Sequence, residues 1–475
     1  MTDVFSLNNS YLSLPGHMWS KVDPSPLESL QWVLYNSELA RDIGIAEKPS
    51  QELLEILGGN EKVKDGAYIA QAYAGHQFGH FTILGDGRAL LIGEHLTPDN
   101  KRIDIQLKGS GPTKYSRRGD GRATLYSMLR EYIISEAIHY LGIPTTRSLA
   151  VVESSTPIYR ETPQKSGVLT RLASSHIRVG TYEYVRQYGK KEDLVQLIDY
   201  VIDRHYPSLS GRPDRIVGLL KMVMLRQIDL IVAWTRVGFI HGVMNTDNMS
   251  IAGETIDYGP CAFMNTYDPA TVFSSIDHQG RYAFGNQPSI GHWNLSIFAS
   301  TLMVAMSGDK DDIINRLQSI LDEYPALFKQ KYYQMMLEKI GLKDDTKANR
   351  ELIDEFLEKM YKLKLDYNFS FYRLTYETDK LAPLLKEWLT EWRSRFKSEK
   401  TFAEAQQRMK KVNPVIVARN HWIEEVLSEA IIGNMEPMHH ALQALKSPYS
   451  LDNRAMEKQR VPELYDQTYQ TFCGT

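Results

Sequence analysis

The stretch from Phe239 to Pro260, FIHGVMNTDNMSIAGETIDYGP, gathers residues whose types and spacing suit chemistry on a phosphate. His241 is followed seven residues later by Asn248, and Asp257-Tyr258-Gly259 closes the stretch. Phosphoryl-transfer loops use His-x-Asp, an Asn five residues after that Asp, and Asp-Phe-Gly. The Asn and the last Asp are oxygen donors for the ion that bridges nucleotide phosphates, and the first Asp accepts the acceptor hydroxyl's proton. Here the position of that first Asp holds Val243, which cannot accept a proton. Asp247 adjoins Asn248 and stands four residues after the vacated position. It either replaces the base or caps a turn.

Lys108 is the second candidate. It ends the alternating run RIDIQLK, after the turn Gly85-Asp86-Gly87 and before a long helical segment containing Glu131 and Glu136. Phosphate binding needs that order, because a Lys must reach phosphate oxygens and a carboxylate must fix its position. Standing alone, Lys108 would read as a solvated strand residue; the ordered neighbours change the balance. Both Glu residues neighbour apolar helix positions and both would favour a cation, so helix geometry does not choose between them. The segment KGSGPTKYSRRGDGRA adds Gly residues and the basic side chains of Lys108, Lys114, Arg117, Arg118 and Arg122. It matches neither Gly-x4-Gly-Lys-Ser/Thr nor Gly-x-Gly-x-x-Gly, so phosphate loop and basic surface loop stand level. Arg171 and Arg178 are two further cations able to neutralise a triphosphate or to serve in ordinary ion pairs. His76 and His80 in HQFGH are four apart, but Gly79 argues against a helix and Gln77 replaces a zincin's Glu, so structural His is expected.

The elements that would position these residues divide the chain. FTILGDGRALLIGE reads as two strands joined by the tight Gly85-Asp86-Gly87 turn. In RIDIQLK, Ile103, Ile105 and Leu107 share one face, and Arg102, Asp104, Gln106 and Lys108 the other. RATLYSMLREYIISEAIHYLG is a helix stopped by Gly142 and Pro144. RSLAVVE, PIYRE and GVLTRLA read as three strands, and MSIAGETIDYG as a small hairpin that carries Asp257. From about residue 174 the pattern turns helical; DRIVGLLKMVMLRQIDLIVAWTRVGF is apolar nearly all round and therefore central. Helical patterns fill most of 293–445. The expectation is an α+β chain with a strand-rich N-terminal lobe, 1–173, a helical C-terminal lobe, 174–475, and the chemistry in the cleft between them.

The bulk composition narrows the partners. A net charge of −3 over 475 residues gives no reason to expect nucleic acid or an anionic membrane. No apolar run approaches the length of a membrane span. The first residues lack the basic-then-apolar pattern of a signal peptide, and two cysteines, Cys261 and Cys473, exclude a disulfide framework. A reducing cytoplasmic setting is the expectation.

The motifs NNSY, YAGHQFG, LGDGRA, DIQLKGSGPTKYSRRGDGRA, SEAIHYLGIPTTRSLA, VLTRLASSHIRVGT, HGVMNTDNMSIAGETIDYGPCAF and DHQGRYAFGNQP together resemble the selenoprotein O (SelO/YdiU) family, over essentially the whole chain. The resemblance implies a protein-kinase-like two-lobed fold that transfers AMP from ATP, and in bacterial relatives UMP from UTP with Mn2+, to Ser, Thr or Tyr hydroxyls of target proteins. It implies ATP held in reverse, so that the α-phosphate faces the acceptor and Val243 is no defect. By motif, Gly85, Gly87 and Arg88 would form the nucleotide-binding turn, with Asp120 and Gly121 also at the nucleotide. Lys108 would pair with Glu131, Arg171 and Arg178 would hold the outer phosphates, and Asp247 would be the base. Asn248 and Asp257 would bind Mg2+ or Mn2+, Asp257 also lying near the nucleotide. Cys473 stands where many eukaryotic relatives carry selenocysteine, leaving a weaker redox role open. The competing readings are a conventional kinase, against which Val243 counts, and a non-catalytic pseudokinase scaffold, against which the Lys108, Asn248 and Asp257 set counts.

Overall fold

A computed structural model describes residues 4–463 together with Tyr465 and Tyr469. Its first half is built on strands β1 (Trp19–Lys21), β2 (Gln31–Tyr35), β3 (Ile69–Gln71), β4 (Ala74–Gln77), β5 (His80–Ile83), β6 (Ala89–Leu96), β7 (Arg102–Lys108), β8 (Ala123–Thr124), β9 (Arg147–Tyr159) and β10 (Pro163–Ala173). Seven of them run β1-β3-β6-β7-β10-β9-β2 in one antiparallel sheet, with β8 added to β10 and β4–β5 forming a separate pair. Helices α1 (Ser37–Ile43) and α2 (Gln51–Gly58) contribute Leu39, Ala40, Leu53 and Leu57 to a core with Ile105, Leu107, Val152 and Val168. Helix α3 (Leu125–Tyr140) packs Leu125, Met128, Leu129 and Ile133 with Val151 and Leu169. Because side chains alternate across a strand, this sheet is covered on both faces. The polar side of β7 is therefore buried, and Asp104, Gln106 and Lys108 must find partners inside the protein.

Helix α3 begins where Thr124 Oγ1 accepts the Ser127 N–H at 3.1 Å. It stops before Gly142, whose φ of +75° favours glycine. The C-terminal half is helical: α4 (Val179–Tyr188), α5 (Lys191–His205), α6 (Arg215–Arg236) and α7 (Gln287–Ala305), then eight more helices between Lys310 and Leu445 among the described residues. Helix α6 buries eleven side chains and feeds two apolar cores at once, as its all-round apolar sequence requires. Its end delivers the chain through β11 (Phe239–Ile240), which pairs with β12 (Ala262–Phe263), so the segment between them loops to the front of the helical half. This is an α+β arrangement, strand-rich in the N-terminal half and helical in the C-terminal half. No helix among the described residues is long and apolar enough to cross a membrane.

Several local expectations are corrected. The Gly85-Asp86-Gly87 turn does not join two paired strands: β5 pairs with β4, and β6 pairs with β3 and β7. The turn bridges two sheets because Asp86 is drawn inward, accepting the Gln71 N–H at 3.0 Å and Gln106 Nε2 at 3.2 Å. RSLAVVE and PIYRE are one strand, β9, with irregular register against β10. MSIAGETIDYG forms no hairpin; Ser250 bridges to Arg178 and Thr255 to Thr145, so tertiary partners replace the local ladder. HQFGH is non-helical as expected, and is the tip of the β4–β5 hairpin. Cys473 lies outside the described residues; Cys261 is buried, which pushes its thiol up to about 11.

Candidate active site

The cleft between the halves holds about 860 Å³ and is lined by Gly85, Gly87, Arg88, Lys108, Asp120, Gly121, Glu131, Arg171, Val243, Asp247, Asn248 and Asp257. Its floor is one network of charges. Lys108 Nζ donates to Glu131 Oε2 at 2.5 Å and to Asp257 Oδ1 at 2.7 Å. Arg171 Nη1 reaches the same Asp257 oxygen at 2.6 Å and Glu131 Oε1 at 3.2 Å. Arg178 Nη1 lies 3.2 Å from Asp257 Oδ2 and donates to the backbone carbonyl of Asp247 at 2.9 Å. Burial opposes ionisation of Asp257, but Arg171, Lys108 and Arg178 outweigh it and hold the carboxyl well below the usual range. Asp257 has a φ of 65°, an uncommon left-handed conformation that aims its side chain into this cluster.

The choice between the two Glu residues of α3 is geometric. Glu131 points at Lys108. Glu136, five positions on, accepts from Arg147 Nη2 at 2.7 Å, the Ser148 N–H at 3.1 Å and Asn36 Nδ2 at 2.9 Å, away from the cleft. Glu131→Gln is expected to weaken ATP binding per folded molecule and also to lower the melting temperature, because Lys108 and Arg171 then share Asp257 alone. Glu136→Ala is expected to lose about 3–5 kcal/mol of stability, as a buried pair that loses one partner does, and to keep its ATP affinity per folded molecule. Thermal melts and calorimetric titrations check both; the opposite pattern would exchange their roles.

The Phe239–Pro260 loop is held rigidly. His241 is buried, with Nε2 2.9 Å from the carbonyl of Ile256 and its own N–H on Gln287 Oε1 at 3.0 Å, so it braces the loop rather than facing the cleft. Asn248 Nδ2 donates to the Val243 carbonyl at 2.9 Å, which leaves the amide oxygen as an acceptor. Asp247 is 8% exposed and its Oδ1 has no hydrogen-bond partner among the described residues. Burial pushes its carboxyl up to about 7, against the pull of Arg178. Asn248 and Asp257, which both line the cleft, are oxygen donors of the kind Mg2+ or Mn2+ accepts. No three His, Cys, Asp or Glu side chains converge as a protein-only metal cage among the described residues. An ion here would thus rely on phosphate and water for its other ligands.

At the rim, Asp120 is exposed and held by Arg160 at 2.8 Å. Gly121 has a φ of +65°, and a Cβ there would collide with the backbone of Gly111, so glycine is required. Arg117 and Arg118 also line the cleft. Two participants escaped the sequence reading. Gln106 sits directly opposite Arg171 across β7–β10, and its Oε1 accepts from Arg171 Nε at 3.1 Å and Nη2 at 2.6 Å. Asp86 holds Gln106 in turn, and burial pushes its carboxyl up to about 6. The signal was present: Gln106 shares the β7 face of Lys108, and a polar face beneath a covering helix cannot be solvated.

A family model described as protein adenylyltransferase SelO matches residues 4–446. The chain belongs to this family. A relative from Anoxybacillus flavithermus, named protein nucleotidyltransferase YdiU, is 47% identical over 476 residues, 99% of each chain. One of the same name from Clostridium perfringens is 47% identical over 479 residues, 99% of this chain and 98% of its own. Among solved structures, ROP2 from Toxoplasma gondii, titled a virulence factor with a protein-kinase fold and no enzymatic activity, matches at 10% identity. It covers 62% of this chain and 87% of that one with a TM-score of 0.26, a superposition too loose to carry an argument.

Proposed function

We propose that the protein transfers AMP from ATP to hydroxyl groups of Ser, Thr or Tyr on other proteins and releases pyrophosphate, with UTP as a second donor. The lobes divide at 173/174 in this reading. The observation that carries it is the pairing of an apolar Val243 at the kinase base position with a buried Asp247 whose carboxylate Oδ1 has no hydrogen-bond partner among the described residues, both lining the same cleft. A base displaced along the loop suits attack on a phosphorus other than the γ, which a reversed nucleotide presents.

In this mechanism Lys108, Arg171 and Arg178 neutralise the triphosphate, while Glu131 and Gln106 fix the cations. The Gly85–Arg88 turn and the Asp120-Gly121 rim hold the rest of the nucleotide. Asn248 and Asp257 would hold Mg2+ or Mn2+, which when bound supplies charge neutralisation at phosphate oxygens. Asp247 accepts the acceptor hydroxyl's proton as its oxygen attacks the α-phosphorus and the bond to pyrophosphate breaks. Positioning and electrostatics carry most of the acceleration.

Parallel incubations with α- and γ-labelled ATP test the reading. Protein label from the α position alone is expected. Label from γ alone means a kinase, and label from neither means a scaffold. The same assay with α-labelled UTP, in Mg2+ and in Mn2+, measures donor and metal preference. Lys108→Ala is expected to weaken nucleotide binding while the fold persists, because Arg171 remains to pair Glu131 and the apolar side of β7 is untouched. A collapsed melting temperature with full activity per folded molecule would make Lys108 structural.

A further inference from the structure

The β4–β5 hairpin interrupts the chain between β3 and β6, at the glycine turn. Its turn residues Phe78 and Gly79 both have positive φ, 50° and 86°, as a tight two-residue hairpin turn requires. One edge is fastened to the Phe239–Pro260 loop and its neighbours. The His76 N–H donates to Thr246 Oγ1 at 2.8 Å, and the Phe78 N–H lies 3.3 Å from Asn245 Oδ1 and 3.2 Å from Tyr282 Oη. Strand β4 also runs against Asp247 itself, since a Cβ on Gly75 would collide with that carboxylate.

On the other edge the outward backbone groups of Phe81 have no backbone hydrogen-bond partner among the described residues. His76 faces Phe81 across the pair, and the His76 N–H points away from β5. In an antiparallel ladder both members of such a pair point their backbone groups outward, so Phe81 does too. Ile83, two residues on, does the same, and its carbonyl accepts from Arg117 Nη2 at 2.6 Å. Phe81 and Ile83 share one face and are 44% and 46% exposed. An exposed strand edge with alternate apolar side chains is a template for an added strand. Cations stand at both ends. Arg117, at the Ile83 end, also lines the cleft. The Arg281 guanidinium lies 3.8 Å from the Cβ position of Gly79 and 4.7 Å from the Trp293 ring centroid. Among the described residues neither Arg forms an ion pair with an acidic side chain.

We propose that β5 docks an extended, acidic segment of the acceptor protein as a third strand of this hairpin. The apolar side chains of that segment would cover Phe81 and Ile83, and its acidic residues would meet Arg281 and Arg117. This rests on the protein acceptor of the proposed function. Strands lie about 4.8 Å apart, so the docked strand lies about 10 Å from β4. Some three extended residues span that distance. The modified hydroxyl therefore belongs to residues that continue past Arg117 into the cleft, not to the docked strand itself.

The probe is a fluorescein-labelled random copolymer of glutamate and tyrosine, with a lysine–tyrosine copolymer as control, read by anisotropy on the full-length protein. Wild type is expected to bind the acidic copolymer and not the basic one, and the Phe81 amide to gain protection from hydrogen exchange. Ile83→Asp and Arg281→Glu are each expected to weaken binding at least tenfold while calorimetric ATP affinity stays within twofold. Phe81→Pro removes an outward N–H that the hairpin does not use, and should weaken binding equally. Absence of acidic copolymer binding, equal binding of both copolymers, or variants that bind like wild type would overturn the proposal. So would light scattering that shows a second copy of this chain covering the edge and released by Ile83→Asp. Copolymer binding without α-label transfer would instead sink the transferase reading and leave the docking strand standing.

Discussion

Asp247→Ala is expected to lose α-label transfer by ~10²–10⁴-fold, the usual worth of a general base, while ATP still binds. The side chain makes no hydrogen bond to Lys108, Arg171 or Arg178 among the described residues; only its backbone carbonyl accepts from Arg178, and alanine keeps that carbonyl. The structure adds a second expectation. A buried carboxylate oxygen without a partner opposes folding, so removing it should leave the melting temperature unchanged or raise it. Loss of transfer with gain of stability is the signature of a group kept for chemistry. Restoring an acid at the kinase position in Val243→Asp/Asp247→Ala should not rescue transfer, because position 243 would serve a γ-phosphoryl group. Three proteins assayed for α- and γ-label transfer, ATP affinity and melting temperature settle the matter. A double variant that regains activity as γ-label would place the nucleotide in the kinase orientation.

Asp257→Ala should have the opposite profile. Three cations converge on this carboxylate, at 2.6 to 3.2 Å. Its removal leaves Lys108 and Arg171 to share Glu131, and leaves Arg178 without an acidic side chain. Metal-dependent ATP binding should vanish, since the nearest acid along the chain, Glu254, turns away to accept the Ser174 N–H at 3.1 Å, and Glu131 is already held by Lys108 and Arg171. Stability should fall by about 3–5 kcal/mol, the range for a buried charge group that loses its counter-charge. Because the deficit is one of negative charge, pyrophosphate should raise the melting temperature of the variant by more than that of wild type. Tight metal-dependent ATP binding by the variant in calorimetry would remove Asp257 from the proposed metal site.

How much of this was legible depends on how local each feature is. The Asp247–Asn248 and Asp257-Tyr258-Gly259 spacings are short-range, and the order of Gly turn, strand Lys and helix Glu survives in the chain as written. Helix α3 follows from periodicity and its stop signals, Gly142 and Pro144, and α6 from its nearly all-round apolar sequence. The failures share a cause. Asp-Gly between apolar runs signals a hairpin only when the flanking strands are free to pair, and β6 was claimed by β3 and β7. MSIAGETIDYG likewise exchanged a local ladder for bridges to Arg178 and Thr145.

The sequence by itself determined the family, the two kinds of lobe and the inventory of charged groups, because periodicity, capping and motif spacing are properties of neighbouring residues. Only the tertiary structure decided which of those charges meet. It assigned Glu131 to Lys108 and Glu136 to Arg147, put Gln106 behind Arg171 across the β7–β10 register, and left Asp247 buried with Oδ1 lacking a hydrogen-bond partner among the described residues. The physical reason is that burial and counter-charge depend on what a covering helix or a neighbouring strand brings from far along the chain. The strength of an ion pair, and hence the state of each carboxyl, is fixed by separations of a few ångströms between residues far apart in the chain, such as Lys108 and Asp257, 149 positions apart.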